Sequence, residues 1–345
     1  MELSARKQAI LMAIVDAYIR TGEPVGSKSL VEILENAPSS ATLRNEMSEL
    51  CELGFLEQPH TSAGRVPTSS AYRIYVDSLP KTYNLLDEGR KELIDKMLYS
   101  VSGDPEHIPA GICRIVSRLT GLPSISATVA GAECFLKSVK LLPLGRHTAM
   151  LVAFASNGRA KSRLCRLASP LTEQTVLVFE NLVNKSVIGV KASDITPAFM
   201  QSIMVSAGTD ALTLMPILTE LNEIIEEVSR ATLELSGESS IFSVCQSDRD
   251  ARDILSIFDH REALVSMLSE ADEPLNLLFG SEMSFAKRCP STLIVTAYHN
   301  GNGNFGRIGV VGPERMEYKQ IIPSLSYIAK RAGDLMTQAI KDMED

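Results

Sequence analysis

Five polar side chains crowd into seven residues of this 345-residue chain: Ser39, Ser40, Thr42, Arg44 and Asn45. Arginine pairs bidentately with the major-groove edge of guanine, and asparagine does the same with adenine. Hydroxyls at the start of a helix suit a phosphate oxygen. A second set follows in the loop from Pro59 to Arg65, where His60, Thr61, Ser62 and Arg65 stand among small residues. Such a loop fits against a sugar-phosphate backbone. Ser27, Lys28 and Thr68 flank the two sets and could position that backbone. This is the chemistry of duplex DNA recognition, not of bond making. The same residues on a module used only for protein contacts would leave Arg44 and Asn45 merely solvated.

Charge does not advertise a polyanion partner. The net charge is -8, and the segment up to Pro80 carries seven cations against ten anions. The basic stripe that usually marks a nucleic-acid binder is missing as a total, so binding must rest on where the few cations sit. The six cysteines are scattered, without a C-x-x-C pair, and read as small buried hydrophobes. The five histidines do not cluster, and no metal, cofactor or catalytic constellation emerges. The loop Gly301 to Gly306 matches G-x-G-x-x-G, but Arg307 to Val311 reads as a strand where a dinucleotide site needs a helix. It is read as a hairpin tip. With no apolar segment behind a basic start and no run of membrane-spanning length, the chain is expected in the cytoplasm, with no membrane partner.

The elements that position the polar sets follow from periodicity. Ser4 caps a helix whose apolar positions are Ile10, Leu11, Ile14, Tyr18 and Ile19, and Gly22 and Pro24 end it. Ser27 is expected to cap a short second helix with Leu30, Ile33 and Leu34 inward, before a turn at Asn36-Ala37-Pro38. Ser39 or Ser40 caps a third, with Leu43, Met47, Leu50 and Leu53 on one face and Gly54 as its stop. A strand from Phe55 to Gln58, the polar loop, a return at Val66-Pro67 and a fourth helix with Tyr72, Tyr75, Val76 and Leu79 inward complete the unit. Three helices and a short hairpin make a winged helix-turn-helix, whose third helix enters the major groove.

Beyond a linker at 80–87, helices are expected over Glu88–Tyr99 and Gly111–Leu119, and strands over Leu136–Leu144, Thr148–Ala155 and Ala160–Leu167. Asn157-Gly158 supplies the hairpin turn between the last two. After Pro170 the pattern turns helical through Leu235. Strands return at Thr292–Tyr298 and Arg307–Val311, and a last helix runs from about Pro323 to Met343. Two strand blocks separated by a helical block suggest one α+β domain interrupted by an insertion. Within the helical block Leu214, Leu218, Leu221, Ile225 and Val228 are spaced four, three, four, three, as heptad a and d positions are. A coiled-coil dimer seam and a core stripe explain that spacing equally well, and the habit of helix-turn-helix repressors of reading paired half-sites as dimers favours the seam. Pro216 is expected at the start of that helix.

The runs Thr21 to Lys28, Ser39 to Met47, Leu53 to Thr68 and Gly306 to Tyr318 resemble the heat-inducible transcription repressor HrcA family. Likeness is much weaker between about Asp87 and Leu275. The resemblance implies a multidomain α+β chain: a winged helix at 1–80, a GAF-like domain at 81–170 and 232–345, and a mainly helical inserted dimerisation domain at 171–231. It also implies a repressor that binds, as a homodimer, an inverted-repeat operator upstream of chaperone operons, with the chaperonin setting how much of it is active. The competing expectations are a metabolite-sensing regulator with its effector in the GAF-like domain, an enzyme using a nucleotide at the Gly301 loop, and a winged helix serving assembly alone.

Overall fold

The computed structural model describes residues 3–34, 37–60, 63–80, 86–101, 103–128, 134–245, 247–270, 275–286, 289–299 and 305–342. The head begins with α1 (Ala5–Thr21), capped by the Ser4 hydroxyl and closed by Gly22 at φ 72°. Next come α2 (Ser27–Ile33) and α3 (Ser40–Glu52). Ser39 is the cap of α3, its hydroxyl accepting from the Thr42 amide at 3.2 Å. Ser27 does not cap α2. Gly26 holds that position, and Ser27 is the first helical residue, with Ile33 exposed and not inward. The wing is β1 (Leu56–Glu57) paired antiparallel with β2 (Val66–Pro67). Val25 adds a third rung through backbone bonds of 2.9 and 2.8 Å to Arg65. Only a glycine fits at 64, since a Cβ there would lie 2.5 Å from the Val25 carbonyl. α4 (Ser69–Ser78) closes the head by burying Tyr72, Tyr75 and Val76.

The body follows as α5 (Glu88–Tyr99), α6 (Ile108–Thr120) and β3 (Ser124–Thr128). The chain then departs, and returns as β7 (Thr232–Ser236), which pairs antiparallel with β3. After it come α10 (Ile241–Val244), α11 (Asp248–Leu255), α12 (Arg261–Glu270), β8 (Leu275–Phe279), β9 (Ser291–His299), β10 (Phe305–Pro313) and α13 (Tyr318–Asp342). The sheet order is β7-β3-β10-β9-β8, with every pair antiparallel. Apolar side chains of β9 alternate between two cores. Ile294 and Tyr298 join α5, α6 and α13, whereas Leu293 and Val295 join α11 and α12. Covering both faces explains why Leu293, Ile294 and Val295 are apolar in succession instead of alternating. The Gly301 loop joins β9 to β10, an antiparallel pair; residues 301–304 lie outside the described residues.

The excursion between β3 and β7 holds β4 (Leu136–Gly145), β5 (Thr148–Ala155), β6 (Ala160–Arg166), α7 (Glu173–Ser186), α8 (Pro197–Ser206) and α9 (Ala211–Ser229). Here the expected boundary at 170/171 is corrected. The strands β4, β5 and β6 form their own sheet and share one hydrophobic core with α7, α8 and α9. The insertion therefore spans about 134–228, and its ends meet where Thr128 pairs with Thr232. Asn157-Gly158 makes the expected turn, with Gly158 at φ 80°, and it also seals α9: the Asn157 amide and the Arg159 guanidinium donate to the Val228 carbonyl. Pro216 and Pro323 both lie inside helices that begin five residues earlier than expected.

The heptad-like stripe on α9 is the core of this unit. Leu214, Leu218, Leu221, Ile225 and Val228 are at most 3% exposed and pack toward β5 and β6 of the same chain. They are not free for a partner, so the expected seam is not the dimer interface.

Head and body share one core. Tyr72 and Tyr75 on α4 meet Tyr318 at ring-centroid distances of 5.9 and 6.4 Å. Asp16 accepts from the Tyr75 hydroxyl and from Lys319. Arg73 pairs with Glu282 and lies over the Phe279 ring. The Ser69 hydroxyl donates to Glu314 at 2.7 Å. Burial pushes the Glu314 carboxyl above the ordinary glutamate range, and the Ser69 bond offsets part of that. A carboxyl whose pKa rises on folding binds its proton more tightly folded than unfolded. Stability therefore falls as pH climbs from the unfolded value through the folded one. Glu314→Gln keeps an acceptor for Ser69 and removes the buried charge. Its melting temperature should exceed wild type near neutral pH and converge with it in acid, by calorimetry across pH; a deficit at every pH would refute this.

Candidate nucleic-acid interface

The surface around the N-terminus of α3 is built by three short-range devices. Ser39 caps the helix, and its hydroxyl also bonds the Thr42 hydroxyl at 2.9 Å. The Ser27 and Ser40 hydroxyls share a 2.9 Å bond that ties the start of α2 to the start of α3. Leu43, Met47 and Leu50 anchor the inward face. With that face fixed, helical geometry turns Arg44 and Asn45 outward, and both are exposed. Lys28 is exposed beside them on α2.

The acids of α3 are partly answered. Glu46 lies 3.9 Å from Arg6 and 4.0 Å from Lys7, and Glu49 lies 2.6 Å from Lys7. The hydrogen bond to Glu49 raises the Lys7 pKa above the ordinary lysine value. These surface pairs contribute little to stability. Their consequence is electrostatic, because they mute negative charge just behind the reading end of the helix.

The expected contact set is thus brought together in part. Ser39, Arg44, Asn45 and Lys28 present outward; Ser40 and Thr42 are half-buried at the helix start. Ser27 is buried at 9% exposure and engaged with Ser40, so it is a joint between helices and not a contact. Thr68 is likewise engaged: its hydroxyl donates to the Gly54 carbonyl at 2.8 Å and the Phe55 carbonyl at 3.1 Å, closing the wing onto α3. His60 is exposed at the wing, and Arg65 is half-buried at its base; Thr61 and Ser62 lie outside the described residues. Sequence reasoning passed over Gln58, whose side-chain amide donates to the Ala63 carbonyl at 3.2 Å and braces the wing. Its place directly after β1 and one residue before the loop was the available signal.

Among the described residues, no group of three His, Cys, Asp or Glu side chains could hold a metal ion. Among the described residues no single helix is long and apolar enough to cross a membrane, although the bent pair α8 and α9 has the composition.

A three-helix unit with a two-stranded wing and an outward polar end on its third helix defines a winged helix-turn-helix DNA-binding protein. Residues 2–78 match the family described as the winged helix-turn-helix transcription repressor, HrcA DNA-binding, and residues 106–322 match the HrcA protein C terminal domain. The chain belongs to the HrcA family of transcription repressors. It is 32% identical to the heat-inducible transcription repressor HrcA of Brevibacillus brevis, covering 97% of this chain and 98% of that one. It is 29% identical to the protein of the same name from Acetivibrio thermocellus, over 99% of each. A solved crystal structure of a hypothetical protein shares the fold, with a TM-score of 0.64, 22% identity and coverage of 98% of this chain and 100% of that one.

Proposed function

We propose that the chain is a heat-inducible repressor of chaperone operons that binds an inverted-repeat operator as a homodimer. The observation that carries this is the outward pairing of Arg44 and Asn45 at the first turns of α3, in front of acids that Arg6 and Lys7 screen. Arg44 and Asn45 read bases; Lys28, Ser39, Ser40, Thr42 and the wing residues His60, Thr61, Ser62 and Arg65 hold the backbone. The head offers few free cations, so one head binds weakly and two heads on paired half-sites supply the affinity. The body, read as GAF-like, carries the heads, and the chaperonin is the partner that sets the active fraction. In this role the chain catalyses no reaction, needs no cofactor and works in the cytoplasm. A metabolite-sensing regulator stays as the second reading because the body contributes walls to cavities beside the head.

Arg44→Ala should weaken binding to an inverted repeat by roughly 1–3 kcal/mol while barely changing affinity for scrambled duplex. Gel shifts over a salt series read both terms. Equal operator affinity for the variant and wild type would remove base reading from Arg44.

A further inference from the structure

Where head meets body lies a cavity of about 440 Å³. Its walls include Arg20 from the end of α1, Arg90 from α5, Thr120 from α6, and Arg315, Glu317 and Gln320 from the corner between β10 and α13. Three arginines and one glutamate therefore line one space. Among the described residues, none of the three lies within ion-pair distance of a carboxylate. Each donates only to a backbone carbonyl and at long range: Arg20 to Asp16 at 3.4 Å, Arg90 to Leu119 at 3.5 Å and Arg315 to Ile19 at 3.3 Å. The Arg90 Nε is buried without a hydrogen-bond partner. Three cations against one carboxylate leave the wall net positive, and a buried donor left unpaired costs free energy. An oxyanion offsets the net charge, because the planar fork of arginine matches it bidentately. The volume falls in the range of small-molecule sites.

We infer that this cavity binds a small phosphate-class oxyanion, and that its occupancy is coupled to the reading head. The coupling follows from the wall. Arg315 donates to the last turn of α1, and its guanidinium fits there because Gly22 has no Cβ, which would lie 2.9 Å away. Three residues further on, Val25 pairs with Arg65 at the base of the wing. An anion drawing on Arg315 and Arg20 therefore acts on the segment that holds α1 to the wing.

The test uses the full chain, with sodium pyrophosphate as probe against sodium chloride at equal ionic strength. Calorimetry should show pyrophosphate raising the melting temperature by about 2 °C at ten times its dissociation constant. Titration should show Arg90→Gln and Arg20→Gln each weakening binding about tenfold, the effect of losing one charge-assisted bond. Arg44→Ala should keep the full effect, which separates this cavity from a phosphate site on α3. Operator affinity should change about fivefold or more on adding pyrophosphate to wild type, and not to Arg90→Gln. No binding at millimolar probe, an equal shift in both arginine variants, or loss of the shift in Arg44→Ala would overturn the site. An unmoved operator affinity would overturn the coupling.

Discussion

Leu221→Asp unfolds the insertion; it does not release a folded monomer. Leu221 has no exposed surface, and Ile225 one turn along is 3% exposed. Both sit in the core that β4, β5 and β6 share with α7, α8 and α9. A carboxylate there has no hydrogen-bonding partner, and removing it from water without one costs several kcal/mol, as does the lost leucine packing. Together they should exceed about 4 kcal/mol, a large share of the stability of a unit this size. The expected signature is loss of helical circular dichroism proportionate to the insertion and rapid proteolysis within 134–228. The head should persist, since none of its core residues belongs to that cluster. A variant with native dichroism and the sedimentation of a monomer would show that α9 faces a partner after all.

That stripe illustrates what sequence could and could not disclose. Spacing of four, three, four, three defines an apolar face on a helix and is silent on what covers it. A neighbouring chain and a neighbouring sheet ask for the same residues. The head was legible almost throughout because its determinants are local: Ser4 and Ser39 as caps, Gly22 as a left-handed stop, Leu43, Met47 and Leu50 one face apart. The errors there came from polar type. Ser27 and Thr68 looked like DNA contacts because hydroxyls serve both purposes, and only their partners, Ser40 and the Gly54 carbonyl, reveal an internal use. In the body, β3, β7 and β8 were missed. At five residues each they are short, and β3 alternates as Ser-Ile-Ser-Ala-Thr with mostly small side chains, too little apolar bulk to mark a strand. The change from strand to helix near Pro170 mimics a domain boundary. Domain membership is decided by shared cores, and the pairing of β3 with β7 across a hundred residues leaves no local trace.

Substituting the outer face of the three-stranded sheet should separate the proposed dimer without unfolding anything. A free antiparallel sheet alternates apolar inward and polar outward. β5 breaks that rule: Ala149, Leu151 and Ala153 point to the core, and the alternate positions Met150, Val152 and Phe154 are apolar as well. The register lines Met150 up with Leu142 on β4 and Leu164 on β6, a continuous apolar row across all three strands. Leu142 is 48% exposed and Leu164 52%. Such a face suits a second copy of itself, because a two-fold contact is self-complementary and needs no second design. Leu142→Asp with Leu164→Asp places charges already near solvent, so the melting temperature should hardly move. Sedimentation should report a monomer for the variant and, under the proposed function, a dimer for wild type at the same concentration. Operator affinity should then fall about a hundredfold or more, because the second head no longer binds as an intramolecular event, whereas scrambled-DNA affinity should change far less. A stable dimer with both substitutions in place would move the interface to another surface of the insertion.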